Sequence, residues 1–131
     1  MKTRILSIKE CGGELEVAFA CNAGIGKAVL KSAPNPGIIG KELGAELDID
    51  VPLELGKTCK YDTALQKQIT VENDMVRLLV VVEAQDDDGL AYCRLSDDCL
   101  MMIDVHEGMR LNVGSMVNIT VPFRAVRLTV V

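Results

Sequence analysis

The sequence predicts an all-β fold built from two copies of one small strand-rich unit. Three observations carry the prediction. The first is the stretch 114–131, GSMVNITVPFRAVRLTVV, in which Met116, Asn118 and Thr120 fall on one parity and Val117, Ile119 and Val121 on the other. That is the period of a half-buried strand. Pro122, which has no N–H to give a ladder, interrupts the alternation before it resumes through Val126, Leu128 and Val130. The second is an internal match: GAELDIDVPL at 44–53 lies on GSMVNITVPF at 114–123, sharing glycine, isoleucine, valine and proline and keeping Leu47 and Leu53 apolar as Val117 and Phe123. The third is composition. Of 131 residues, 49% are hydrophobic, yet there is no Trp and there are only two Tyr and two Phe, so the core is aliphatic and rich in strand formers.

A first strand is expected over 3–10, with Ile5 on one parity and Leu6 and Ile8 on the other, closed by a turn at Cys11-Gly12-Gly13-Glu14. Glycine suits such a hairpin because it reaches positive φ without steric cost. A second strand follows over 15–21, a turn over 22–27 and a third strand over 28–32. The loop 33–44, with Pro34, Pro36, Gly37 and Gly40, leaves room for a turn or two of helix over 38–43; the fourth strand spans 46–55. The polar stretch 56–68 reads as a connector with a short helix over 62–67.

From Ile69 the pattern restarts. The run 75–84, MVRLLVVVEA, is nearly continuous in apolar residues, which predicts burial on both faces. Asp86-Asp87-Asp88-Gly89 turns it, 90–95 returns, 96–99 turns again, 100–105 forms a seventh strand and 106–113 is a loop or short helix. The halves also match at their starts, TRILSIKE at 3–10 on VRLLVVVE at 76–83, and Ala18-Phe19 on Ala91-Tyr92. The domain reading is a first β unit over 1–57, a connector over 58–69 and a second unit over 70–131. Strand–turn–strand–turn–strand–loop–strand, twice over, is the pattern of two tandem OB-like small β-barrels from an internal duplication. Units this small need burial against each other or against a second chain, and two separate barrels and one intertwined barrel both satisfy the pattern.

The closing pattern G-x-x-V-x-I-x-V-x-F-x-x-V-x-L, held by Gly114, Val117, Ile119, Val121, Phe123, Val126 and Leu128, resembles the end of the transport-associated OB domains, the molbindin-like modules that also terminate some transporter ATPases. The resemblance implies tandem units that oligomerise and bind molybdate, tungstate or similar oxyanions at the seams between units. Where that family's closing strand carries a lysine, a small residue and a serine, this chain has Pro122, Phe123 and Arg124 in one copy and Pro52, Leu53 and Glu54 in the other. The resemblance therefore speaks for the fold and leaves the ligand open.

The net charge of −5 and the few aromatics count against a nucleic-acid partner, which wants a basic face and stacking platforms. Five cysteines at irregular spacing, no CxxC and one histidine argue against a zinc site or other metal and for reduced thiols. The start turns charged and glycine-rich too early for a signal peptide, and no apolar run is long enough to span a bilayer, so the expected location is cytoplasmic. Gly24-Ile25-Gly26-Lys27 lacks the spacing and the Ser or Thr of a phosphate loop, because Ala28 follows the lysine; a plain turn is the better reading. The aspartate runs read as solvated turns without the spacing of a calcium loop, and His106 beside Glu107 has no nucleophile to serve.

The recurring arginines are the candidate ligand-binding residues. Arg4 and Arg77 match between the halves, and Arg124 and Arg127 lie on the last strand. Arginine offers the fork that oxyanions and carboxylates accept, although an acidic chain also supplies carboxylates enough to occupy them. No catalytic group, metal or cofactor is expected. The reading is a non-enzymatic binding module, homo-oligomeric through strand edges, for a small oxyanion; the alternative is an OB-like interaction or scaffold protein with a protein or nucleic-acid partner.

Overall fold

In a computed structural model, which describes residues 1–31 and 36–131, the chain is all-β, with eleven strands and, among the described residues, no α-helix. The strands are β1 (Lys2–Cys11), β2 (Glu14–Cys21), β3 (Gly24–Leu30), β4 (Glu42–Ile49), β5 (Cys59–Tyr61), β6 (Gln68–Glu72), β7 (Met75–Gln85), β8 (Leu90–Ser96), β9 (Cys99–Asp104), β10 (Met116–Pro122) and β11 (Val126–Val130). Ser32 and the part of the expected loop at 33–35 lie outside the described residues. The helices expected over 38–43 and 62–67 do not form. A 3-10 turn at Pro36–Ile38 leads into β4, and the stretch 58–69 holds β5 and the start of β6.

The first hairpins follow from local chemistry. Gly12 and Gly13, at φ 61° and 80°, make the β1–β2 turn. Partway along β1 the register slips between Ile5 and Ser7, a bulge that leaves Leu6 exposed. This explains the change of parity after Ile5, since an extra residue on one strand moves the following side chains to the other face.

The ring β1–β2–β3–β11–β4–β1 closes into a five-stranded barrel. Its fifth strand comes from the far end of the chain. β11 runs parallel to β3 at Arg127↔Val29 and Leu128↔Leu30 and antiparallel to β4 from Val126↔Ile49 to Val130↔Ala45. The remaining strands form a second curved assembly, in which β7 is flanked by β6 and β10 along its first half and by β8 along its second, and β9 pairs with β8.

Here too a strand is supplied by the other half. β5, which follows β4 in the chain, pairs with β10 at Tyr61↔Val117, Lys60↔Asn118 and Cys59↔Ile119. Ile49 and Ile119 occupy the same place in the two matching stretches, and each takes its partner from the opposite half, Val126 and Cys59. The next pairs correspond as well: Asp48↔Arg127 with Asn118↔Lys60, and Leu47↔Leu128 with Val117↔Tyr61. Both ladders continue by one backbone bond, Asp50 N–H to the Ala125 carbonyl at 2.8 Å and Thr120 N–H to the Thr58 carbonyl at 3.0 Å. An isolated parallel bridge, Leu53↔Val105, sets the crossing segment beside the end of β9.

One continuous aliphatic core results. It joins Ile5, Phe19, Leu47 and Leu128 to Leu78, Val80, Ile103 and Ile119. β7 buries the consecutive residues Leu78, Leu79 and Val80, so its apolar run reports two covered faces. The halves touch where Gly24 bridges Ile69 in parallel and Ile69 N–H donates to the Ala23 carbonyl. Gly24 and Gly26 are therefore strand residues. A β-carbon on Gly26 would stand 2.5 Å from Phe19 Cζ and 2.7 Å from Ile69 Cδ1. These glycines let β6 approach β3 closely, a packing role with no phosphate in it. Among the described residues no helix is long and apolar enough to cross a membrane.

Candidate functional site

Of the four candidate arginines, the structure brings two together. Arg127 Nη1 donates to the Arg124 carbonyl, and both guanidinium groups are taken by carboxylates. Arg127 Nη2 lies 3.1 Å from Asp50 Oδ2; Arg124 reaches Glu14 and Glu16, each at 3.1 Å. Arg77 stands between Thr70 and Thr120 on neighbouring strands, 3.6 Å from Asp62. Arg4 lies on β1 between Ala20 and Glu42 at the rim of a small hollow. Among the described residues no contact joins Arg4 or Arg77 to the other two, so the four do not form one site.

What the C-terminal arginines build is a fastening. Phe123, in the 3-10 turn after β10, has Lys27 Nζ 4.1 Å from its ring centre and the Arg124 guanidinium 5.1 Å from it. Lys27 also bonds Asp74 at 2.7 Å and lies 3.8 Å from the buried Glu16. The aromatic ring thus meets two cations that carboxylates from β2 and the β6–β7 turn hold in place, a favourable quadrupole arrangement. It anchors the chain where it returns to the first barrel. The Lys27 hydrogen bond and charge hold the Asp74 carboxyl below its usual range.

A site with unspent donors lies elsewhere, on the outer face of β5, β10, β7 and β6. Alternation turns Val117, Ile119 and Val121 to one face and Asn118 and Thr120 to the other, where Thr120 is exposed and Asn118 is buried beneath its neighbours. Register sets Lys60 beside Asn118, and Thr120 beside Arg77 and then Thr70. An open cavity of about 250 Å³ is lined here by Gly56, Lys57, Thr58, Lys60, Asn118 and Thr120, with the buried Cys59 behind them. Its walls are fixed by local bonds. Thr58 Oγ1 donates to the Pro52 carbonyl at 3.0 Å and accepts the Glu54 N–H at 2.8 Å, pinning the loop before β5. Thr120 Oγ1 donates to Asn118 Oδ1 at 2.9 Å, which turns the Asn118 amide nitrogen toward Asp62 Oδ2 at 3.4 Å.

The charges are cationic toward the cavity. Lys57 has a loose partner in Glu54, 3.7 Å away, and Lys60 enters no ion pair among the described residues. Asp62 is the nearby carboxylate. The Ala64 N–H, then the Asn118 amide and the Arg77 charge, hold its pKa below the usual range, so it is ionised at neutral pH and occupies Arg77. Lys60, with Lys57 held only loosely by Glu54 and a second amide N–H of the buried Asn118, remains to meet an anion. This set was hidden in the sequence because 56–68 reads as a connector. The visible signal was the polar parity of the closing strand, Asn118 and Thr120.

The other flagged groups have simpler places. Asp86 Oδ1 accepts the N–H groups of Asp88 and Leu90 and shapes its own turn. His106 Nε2 lies 3.9 Å from Glu54 in an exposed position. All five cysteines are free, with Cys59, Cys93 and Cys99 buried. Among the described residues no group of three His, Cys, Asp or Glu side chains is placed to hold a metal ion. Comparison with protein-family models, with curated proteins and with solved structures finds no match.

Proposed function

We propose that this chain is a non-enzymatic binding module of two duplicated OB-like units with exchanged fifth strands, and that it binds a small oxyanion of the molybdate or sulfate class at the β5–β10 seam. Equivalent pairings at Ile49↔Val126 and Ile119↔Cys59 support the duplication. The observation that carries the ligand is the cavity where a strand from one half meets the other, lined by Lys57, Lys60 and Asn118. It combines two cations with a fixed amide on a rigid ladder, and a tetrahedral dianion fits well inside about 250 Å³. An interaction module of the same fold is the alternative, and the exposed side chains of Leu100 and Met102 favour it.

The test is a thermal-shift titration with molybdate, tungstate and sulfate on the intact chain and on Lys57→Ala/Lys60→Ala. A ligand selective for the folded state raises the melting temperature with the logarithm of its concentration. The proposal expects a rise of several degrees with at least one oxyanion, lost in the double variant. No rise with any of them, or an equal rise in the variant, rejects it.

A further inference from the structure

β4 and β9 run beside one another without sharing a ladder, and between them lies an open groove of about 280 Å³. Its two walls differ in chemistry. The β9 wall carries Leu100 and Met102, 42% and 56% exposed, which is unusual for two neighbouring apolar residues on one strand face. The β4 wall carries Glu46 and Asp48, which enter no ion pair among the described residues. Leu47 and Cys99, both buried, close the base. Asp98 stands at one end, bonded by the Lys2 N–H at 2.8 Å and the Ser96 hydroxyl at 2.7 Å and near the chain's amino group. Among the described residues no lysine or arginine side chain lines the groove.

Both walls repeat at the strand period. Leu100 and Met102, like Glu46 and Asp48, are two residues apart, about 6.4 to 6.8 Å along an extended chain. A peptide lying in the groove in extended form presents alternate side chains to opposite walls at the same spacing. We infer that this groove docks an extended peptide segment of a partner protein in which apolar residues alternate with lysine or arginine. The apolar side chains cover Leu100 and Met102, and the basic ones pair with Glu46 and Asp48. The groove shares no lining residue with the anion cavity, and nothing in the inference depends on that site.

A random nonapeptide library displayed on phage, panned against the intact chain, tests it. Leu100→Lys/Met102→Lys and Glu46→Lys/Asp48→Lys serve as counter-targets, with Met102→Gln and Asp48→Asn in reserve should a double variant fail to melt cooperatively. The expected result is enrichment of sequences alternating apolar with basic residues. A fluorescent synthetic copy then binds the intact chain and is weakened roughly tenfold or more by either pair of changes. No enrichment over the counter-targets overturns the inference. So do enriched peptides without the alternation, or binding that both walls' variants leave undiminished.

Discussion

Gly24 and Ile69 form a parallel bridge between the two halves of the chain, and the β-carbon that glycine lacks would lie 2.4 Å from the Ile69 carbonyl oxygen. Two residues on, Gly26 lies equally close to Phe19 and Ile69 side chains. Contact between the halves at this point depends on backbone without side chains. Gly26→Ala is therefore expected to destabilise by about 1–3 kcal/mol, the ordinary cost of overpacking a core. Chemical denaturation measures it, and a neutral result would mean that β6 yields at no cost.

The Phe123 anchor predicts a graded series. Phe123→Ala removes a buried ring and is expected to cost about 3–5 kcal/mol. Phe123→Leu keeps most of the apolar contact and gives up the cation contacts, at about 0.5–1 kcal/mol beyond any packing loss. A double-mutant cycle with Lys27→Ala isolates the ring–ammonium term; a coupling of zero would remove it.

Stability should fall on acidification in a defined window. Asp74, Asp62, Glu83 and Asp98 all have carboxyl pKa values held below the ordinary range. The largest causes are, in that order, the Lys27 hydrogen bond, the Ala64 N–H, the Arg94 hydrogen bond and the Lys2 N–H. A group whose folded pKa is depressed stabilises above its unfolded value, about 3.9 for Asp and 4.3 for Glu, and loses that stabilisation as pH falls through the folded value. Melting temperature is expected to be flat with respect to these groups above about pH 5 and to drop below it. In Asp74→Asn the drop should be shallower; an unchanged slope would show that Asp74 contributes nothing.

The thiols divide into two classes. Burial pushes Cys93 up to about 12, with the neighbouring Cys59 adding to it, and burial pushes Cys99 up to about 11, with Cys21 adding to it. Burial also raises Cys59 and the half-buried Cys21. At pH 8 a thiol reagent should reach Cys11 first and the half-buried Cys21, whose thiol burial pushes up, more slowly, and leave Cys59, Cys93 and Cys99 unmodified until denaturant is added. Mass spectrometry after a timed pulse reads this directly.

The closing of the barrel by β11, from the far end of the chain, sets the last prediction. Residues 1–57 contain four of the five strands of the closed barrel and lack β11. Such a fragment leaves the edges of β3 and β4 unpaired and Leu47 and Ile49 uncovered, so it should not fold by circular dichroism. Mixed with residues 58–131 it should recover the native spectrum. Folding of 1–57 alone would show that β11 is dispensable.

How much of this was legible is clearest at particular residues. Most of the strands were readable, because Val117, Ile119 and Val121 alternate with Asn118 and Thr120 and because Gly12, Gly13 and Gly89 mark the turns. The 62–67 helix failed because the polar stretch around it takes its structure from β10 and β7, a tertiary influence that local composition does not carry. The arginines were visible, but the partners of Arg77, Arg124 and Arg127 were not. Their charge is read from one letter, whereas the Asp50, Glu14, Glu16 and Asp62 carboxylates that occupy them come from elsewhere in the chain.

By itself, then, the sequence determined an all-β chain with an aliphatic core and two matching stretches, since period and composition are local properties that each residue carries with it. Only the tertiary structure decided that Val126 pairs with Ile49 and Cys59 with Ile119, each across the chain's midpoint. It also decided that Lys60 meets Asn118 and that Leu100 lies across a groove from Glu46. Those juxtapositions depend on which strand edge the chain covers after each proline. That choice is made by burying one shared core, and no short window of sequence contains it.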